Sequence, residues 1–216
     1  MPYAAEATTA WSASRMLSDE ELLAESIEGD VAAFEVIVNR YKDRLFNFVV
    51  RFVGDESTAQ DLVQDTFLRA YRKRESFKAI AKFSTWIYTI AGNLARSELR
   101  RRKRWRFLSI GARPEEEGGG GFELEDNTNR PDLHADTELV QQKINEAISN
   151  LPERYREAVL LRDVQQLDYE EISQILGVPL GTVKSRINRG RLRLQEMLAE
   201  LADEVYETDY HNDMVE

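Results

Sequence analysis

The chain has 216 residues, 39 acidic against 29 basic side chains, a formal net charge of −10 and no cysteine. Zero cysteines exclude a disulfide framework, a thiol nucleophile and thiolate metal sites, and His134 with His211 cannot make a histidine-rich metal centre. No apolar run approaches the ~18 residues of a transmembrane helix, and no basic region precedes an apolar core near residue 1, so the expectation is a globular, cytoplasmic protein without membrane insertion.

Residues 1–16 read as a disordered arm. Ser18 and Glu21 have the spacing of a capping box and Gly29 that of a stop, which predicts a short helix over about 19–28. Asp30 is placed to cap the next helix. Phe34, Ile37, Val38, Tyr41, Leu45, Phe48, Val49 and Phe52 then recur at three- and four-residue steps up to Gly54, one apolar stripe on a long helix. A third helix puts Leu62, Val63, Phe67, Ala70 and Tyr71 on one face and Asp61, Gln64, Asp65 and Arg69 elsewhere. After a loop at about 75–83, Ser84 is expected to cap a fourth helix with Trp86, Ile87, Ile90, Ala91 and Leu94 inward. No proline interrupts the chain between Pro2 and Pro114.

Residues 111–136 hold the run Gly118 to Gly121, three consecutive acids from Glu115 to Glu117, Pro114 and Pro131, a composition too poor in apolar side chains to offset ordering entropy. They predict a flexible acidic linker. Beyond it Leu139, Val140, Ile144 and Ile148 start a new stripe, Pro152 fits the first turn of a helix carrying Ala158, Val159, Leu161 and Val164, and Asp168 with Glu171 repeats the capping-box spacing. Gly177 ends that helix and Pro179 opens a last one lined by Val183, Ile187, Leu194 and Leu198. A short helix, a glycine turn and a longer helix form a helix-turn-helix pattern. The fold expected is all-α: two small helical domains, 17–110 and 137–200, joined by the linker, with an acidic tail at 201–216.

The mean acidity hides an asymmetry. Residues 111–140 carry nine acids and two bases and residues 194–216 eight acids and none, which leaves the rest of the chain at +5. Residues 93–106 hold seven bases and one acid, and residues 180–193 five bases and no acid. Positive patches beside acidic segments suit nucleic-acid contact together with an interaction tail, and the linker and tail are expected to fold back over the patches in the free chain.

In the last helix Thr182, Lys184, Ser185, Arg186, Asn188 and Arg189 are donors and acceptors suited to base edges and phosphates in a major groove. The run 100–106 places six bases in seven residues, more than one helix end needs, so phosphate contact is expected through Arg100, Arg101 and Arg104. Asn93, Arg96 and Ser97 lie just before it, Asn93 having the paired donor and acceptor that read a purine edge. Phe77 and Lys78 in the preceding loop are candidates to receive an unstacked base, whereas Phe83 and Trp86 are assigned to the core. Asp61 and Asp65 repel mildly at i and i+4 and suit a surface awaiting a basic partner. No catalytic, cofactor or metal site is expected, since Gly118 to Gly121 lacks the Lys and Ser/Thr of a phosphate loop.

Four stretches together resemble the extracytoplasmic-function sigma factors of bacteria, the RpoE-like group 4 branch of the sigma-70 family. They are Asp55-Glu56-Ser57-Thr58-Ala59-Gln60-Asp61-Leu62-Val63-Gln64-Asp65-Thr66-Phe67, Phe83-Ser84-Thr85-Trp86-Ile87-Tyr88-Thr89-Ile90-Ala91-Gly92-Asn93, Leu151-Pro152-Glu153-Arg154-Tyr155-Arg156 and Gly181-Thr182-Val183-Lys184-Ser185-Arg186. The resemblance spans about 17–110 and 137–200. It departs from the family pattern at Gln60, where an acid is usual, and at Ser97 and Glu98, where an Asp is often found. It implies an initiation factor with a stress-response role and no enzymatic activity. The third helix, with Asp61, Gln64, Asp65 and Arg69, would dock on RNA polymerase core, whose beta and beta-prime subunits are the implied partners. The fourth helix and its loop would read and open the minus-10 element of promoter DNA, the second domain would read the minus-35 element, and an anti-sigma factor is a further partner to consider. On the residues alone two other readings stay open: a stand-alone helix-turn-helix regulator, and an all-α nucleotide hydrolase working through clustered carboxylates.

Overall fold

The computed structural model describes residues 17–78, 81–110 and 135–212, and every regular element among them is helical. The expected arm, and all of the expected linker except residues 135 and 136, lie outside the described residues. In chain order the helices are α1 (Asp19–Glu28), α2 (Val31–Val53), α3 (Glu56–Arg72), α4 (Phe83–Ile110), α5 (Ala135–Asn150), α6 (Glu153–Val159), α7 (Tyr169–Leu176) and α8 (Leu180–Asn212).

The caps follow the sequence closely. The Glu21 backbone N–H donates to Ser18 Oγ at 3.2 Å and the Ser18 N–H donates back to Glu21 Oε2 at 2.7 Å, closing the reciprocal box at the start of α1. Asp30 accepts from the Ala32 N–H at 2.9 Å and Asp55 from the Thr58 N–H at 2.7 Å, so α2 and α3 each begin on a carboxylate cap. Ser84 does not cap α4. That helix starts one residue earlier, its Phe83 N–H donates to Glu20 Oε1 at 2.7 Å, and the Ser84 hydroxyl is turned elsewhere.

α2 is the central rod, with α1, α3 and α4 packed around it. Ile37, Leu45, Phe48, Val49 and Phe52 are fully buried along its stripe, and Phe48 stacks on Phe52 at 5.9 Å and meets Tyr88 of α4 edge-on at 5.6 Å. α5, α6 and α7 pack on α8 in the second domain. Two expectations for this half fail. Val140 and Val164 point to solvent, Val164 because α6 runs into a wide turn over Leu160–Val164, where the Gln165 N–H reaches back to the Leu160 carbonyl at 3.0 Å and rotates the stripe.

The two helical domains do not stand apart. α4 lies along α7, and α2 meets α5, α6 and the wide turn, so the buried residues form one cluster from Leu22 to Ile187. Arg156 of α6 fastens the junction. Its guanidinium donates to the Phe52 carbonyl at 2.8 Å, to the Leu151 carbonyl at 2.9 Å and to the Ser149 carbonyl. The last carbonyls of a helix have no partner within it and carry its negative end, which is where a cation is most useful. The next carbonyl of α2, that of Val53, accepts from Arg102 of α4 at 3.3 Å.

Candidate nucleic-acid interface

The helix-turn-helix is built from its caps. Asp168 accepts from the Glu171 N–H at 2.7 Å and its own N–H donates to Glu171 Oε2 at 3.0 Å, the second reciprocal box in the chain. α7 ends where Gly177 takes a left-handed φ of 64°, a conformation that a side chain would strain, and the Ser173 hydroxyl ties the turn by donating to the Val178 carbonyl at 2.6 Å. The Thr182 and Val183 N–H groups donate to the Pro179 carbonyl at 2.8 and 3.1 Å, which starts α8.

Val183 and Ile187 anchor α8 inward, so Lys184, Ser185, Asn188 and Arg189 are exposed and Thr182 and Arg186 half-buried on the other side. The six residues expected at the minus-35 element thus share one presented surface. Ser185 donates to the Thr182 carbonyl at 2.9 Å, the Lys184 ammonium sits 5.7 Å from the Tyr169 ring, and Arg189 beside Tyr155 holds that phenol below its ordinary pKa. Gly190 fixes how closely the helix approaches α6, because a Cβ there would lie 2.5 Å from Val159 Cγ2. Residues 201–212 continue α8 as helix, so this part of the tail does not fold back over residues 184–193 as expected: a continuous helix does not bend onto its own earlier turns. The matching expectation for the linker falls outside the described residues.

The first basic segment is arranged differently. Asn93 is exposed, accepts from Arg96 Nη2 at 2.8 Å through its side chain and from the Ser97 hydroxyl at 2.7 Å through its carbonyl, and Arg100 Nη2 donates to Ser97 Oγ at 3.1 Å. Arg101 clasps Glu98 at 2.8 and 2.9 Å, holding that carboxyl below the usual range. Arg102 works inward, reaching Thr58 Oγ1 at 2.5 Å and Asp55 Oδ1 at 3.3 Å, and Lys103 pairs with Glu153 at 3.0 Å. The run is therefore only partly a phosphate surface, with Arg100 and Arg104 exposed and without a carboxylate partner among the described residues.

Phe77 packs its ring 5.2 Å from Trp86 and 6.2 Å from Phe83. Phe83 is fully buried and Trp86 partly so. Phe77 and Trp86, with Ser76, Lys78, Ala81, Thr85 and Thr89, line an open cleft of about 290 Å³, and Gln174 of α7 completes the lining. On α3, Asp61, Gln64, Asp65 and Arg69 are all exposed, with Arg69 Nη2 3.9 Å from Asp65 Oδ2.

What sequence reasoning missed is the polar seam between the domains. Glu157 pairs with Arg96, and burial pushes its carboxyl above the ordinary range against the lowering influence of that arginine. Glu171 accepts from the Ser84 hydroxyl at 2.9 Å and lies 3.4 Å from Lys82 Nζ, which also reaches Asp168 at 3.1 Å. The buried Tyr88 hydroxyl donates to Gln165 Oε1 at 2.5 Å, and desolvation raises its pKa to about 12. A signal existed. Glu171 falls on the same stripe as Ile172 and Ile175, and Glu157 one turn before Leu161, so both are carboxylates where an apolar residue was due.

No helix among the described residues is long and apolar enough to cross a membrane, and no group of three or more potential metal ligands is present among them. Residues 37–105 match sigma-70 region 2 and residues 141–194 match sigma-70 region 4. The chain is 36% identical over 179 residues to the ECF RNA polymerase sigma factor SigW of Bacillus subtilis strain 168, covering 81% of this chain and 93% of that one. It is 38% identical over 184 residues to the ECF RNA polymerase sigma-E factor of Escherichia coli K12, covering 82% and 93%. Its fold is similar to that of the sigma factor RpoE of Bartonella quintana, solved in complex with the anti-sigma factor NepR, with a TM-score of 0.61 at 30% identity over 78% of this chain and 98% of that one.

Proposed function

The chain belongs to the extracytoplasmic-function sigma factors of the sigma-70 family, and from that premise we propose how its residues divide the work of promoter recognition. Residues 17–110 form the unit that docks on RNA polymerase core and opens the minus-10 element, and residues 137–200 the unit that reads the minus-35 element. Asp61, Gln64, Asp65 and Arg69 meet the core enzyme, built around its beta and beta-prime subunits. Phe77, Lys78, Asn93, Arg96, Ser97, Arg100, Arg101 and Arg104 serve the minus-10 DNA, and Thr182, Lys184, Ser185, Arg186, Asn188 and Arg189 the minus-35 major groove. The protein works in the cytoplasm, where polymerase and promoters are, and an anti-sigma factor regulates it, as the complex of the Bartonella relative suggests.

One observation supports this division best: the capped helix-turn-helix turns the polar side of α8 outward while Val183 and Ile187 hold it from behind. The cleft beside Phe77 and Trp86 is a suitable receptor for a flipped base. Capturing one requires binding energy above an unstacking cost of a few kcal/mol and no covalent chemistry, so no enzymatic activity is assigned. Run-off transcription with purified core polymerase on a promoter panel tests the reading. Promoter-specific transcripts that depend on this chain support it, and none on any promoter overturns it. D61K/D65K should fold normally, since surface charge changes usually move stability by less than about 0.5 kcal/mol, and yet fail to retain core enzyme in a pull-down. Retention at the level of the natural chain would overturn the docking assignment.

A further inference from the structure

We infer that the cleft between α2 and the wide turn at Leu160–Val164 is a binding site for a short oligophosphate, gripped by Arg44 and Arg51 with Asn47, Gln165 and Gln166 as neutral donors. The oligophosphate is either free or the 5′ chain of a nucleotide. None of these five residues is among those assigned to polymerase or promoter DNA.

The cleft is open, about 290 Å³ in volume, and lined by Arg44, Asn47 and Arg51 from α2 and by Val164, Gln165 and Gln166 at the end of the wide turn. Small-ligand sites begin at about that size. No carboxylate lines it, and neither arginine has an ion-pair partner among the described residues. That is unusual in a chain of net charge −10: on the same helix Arg40 pairs with Asp19 at 2.7 Å, and Arg96, Arg102 and Arg191 are each claimed by a carboxylate. Two cations that share one recess without a counter-charge repel each other, and a bound anion removes that cost.

The groups that the arginines do touch hold them without neutralising them. Arg44 Nη2 donates to the Gln165 carbonyl at 3.2 Å and its guanidinium stands 5.6 Å from the centre of the Tyr41 ring, while Arg51 Nε donates to Asn145 Oδ1 at 3.3 Å. The remaining N–H groups of both forks are left for the cleft. Gln165 accepts from the Tyr88 hydroxyl through Oε1 at 2.5 Å, which leaves its amide nitrogen as a donor. Arg44 and Arg51 stand two helical turns apart, ~10 Å along the axis, with Asn47 between them. A chain of phosphates offers a bidentate face to each fork over such a span, which a single phosphate does less well. The backbone adds an independent observation. Gln166 is the one residue other than glycine with a positive φ among the described residues, at 59°, and it directly follows the wide turn. A strained residue and a widened helical turn at one spot recur at ligand sites.

Isothermal titration of the full chain with tripolyphosphate, ATP, orthophosphate and citrate, at matched ionic strength and without divalent cations, tests the site. Tripolyphosphate or ATP should bind one per chain, at least tenfold tighter than orthophosphate or citrate, and raise the thermal midpoint. R44Q/R51Q should weaken that binding at least tenfold. K42Q/K73Q, which removes the same charge from exposed lysines outside the cleft, should leave it level. If R44Q/R51Q fails to fold, Q166G decides: glycine accepts the left-handed backbone, so this variant should melt no lower than the natural chain and yet bind at least threefold more weakly. Tighter binding of ATP than of tripolyphosphate makes the ligand a nucleotide, and the reverse makes it free oligophosphate. Citrate or orthophosphate binding as tightly as tripolyphosphate, or an equal loss in K42Q/K73Q, would reduce the cleft to a diffuse positive surface and overturn the site. A Q166G chain that melts normally and binds unchanged would overturn it equally.

Discussion

The two cationic segments of this chain look alike in sequence and are spent differently in the fold. Between residues 96 and 106, Arg96 is held by Glu157, Arg101 by Glu98, Arg102 by Asp55 and Glu98, and Lys103 by Glu153. Between 184 and 193, Arg191 pairs with Asp163, while Lys184 and Arg189 have no ion-pair partner among the described residues. A cluster of positive charge in a sequence thus reports an electrostatic footprint before any neutralisation inside the molecule. How much of it stays available depends on carboxylates far away in the chain.

Arg156 is the extreme case, a cation whose charge is spent wholly on the fold. Arg156→Ala leaves three buried carbonyls without their donor and should cost about 3–5 kcal/mol, as breaking a buried charged contact does, read as a large drop in the denaturation midpoint. At the opposite extreme, Arg186→Ala and Arg189→Ala should leave stability nearly unchanged. Whichever arginine reads a base should lose about 1–3 kcal/mol of promoter affinity and relax preference at one position, and a phosphate contact should weaken all sequences alike. Fluorescence anisotropy on matched and mutated duplexes distinguishes the two.

Arg102→Ala sharpens the contrast within the first segment. Losing its part-exposed bonds to Asp55, Glu98, Thr58 and the Val53 carbonyl should cost roughly 1–2 kcal/mol of stability, read as a lower denaturation midpoint. The smallest effect is a split in pH dependence. Asp55 is held below its ordinary pKa chiefly by Thr58, and Asp168 chiefly by the Glu171 backbone. Their contributions are full above the usual carboxylate range and are lost as pH falls through their lowered pKa values. Glu157 has the opposite sign, because burial raises its pKa and the fold gains from its protonation as pH falls toward that range. A melting-temperature series should therefore hold up on mild acidification and then decline, and Glu157→Gln should remove the support on the mild side without touching the decline.

Most of the architecture was legible because its signals are local. The stripe from Phe34 to Phe52, the Ser18 and Asp168 boxes, and the Gly177 turn each depend on residues a few positions apart, and the structure reproduces them. The surface character of Asp61, Gln64, Asp65 and Arg69 followed from the same periodicity. Ser84 was misread because a hydroxyl at the start of a helix looks like a cap whether or not a distant glutamate claims it. Val164 was misread because periodicity assumes a constant turn, and the Leu160–Val164 segment widens it. The seam escaped for a stronger reason. Arg96 and Glu157 are 61 residues apart, and nothing local to either names the other.

The end of α2 is held from both domains. Its last two carbonyls are gripped by arginines of different allegiance, Val53 by Arg102 from the same domain and Phe52 by Arg156 from the other. Two residues further on, Asp55 caps α3, the helix that exposes Asp61, Gln64, Asp65 and Arg69. Were the second domain removed, the Arg156 grip on Phe52 would be lost and the Arg102 grip on Val53 would stay, leaving one carbonyl to water beside a peptide that is still clamped. The four residues from 52 to 55 thus act as a shared bearing. A load on α3 and a load on the second domain would meet on the same short stretch of backbone.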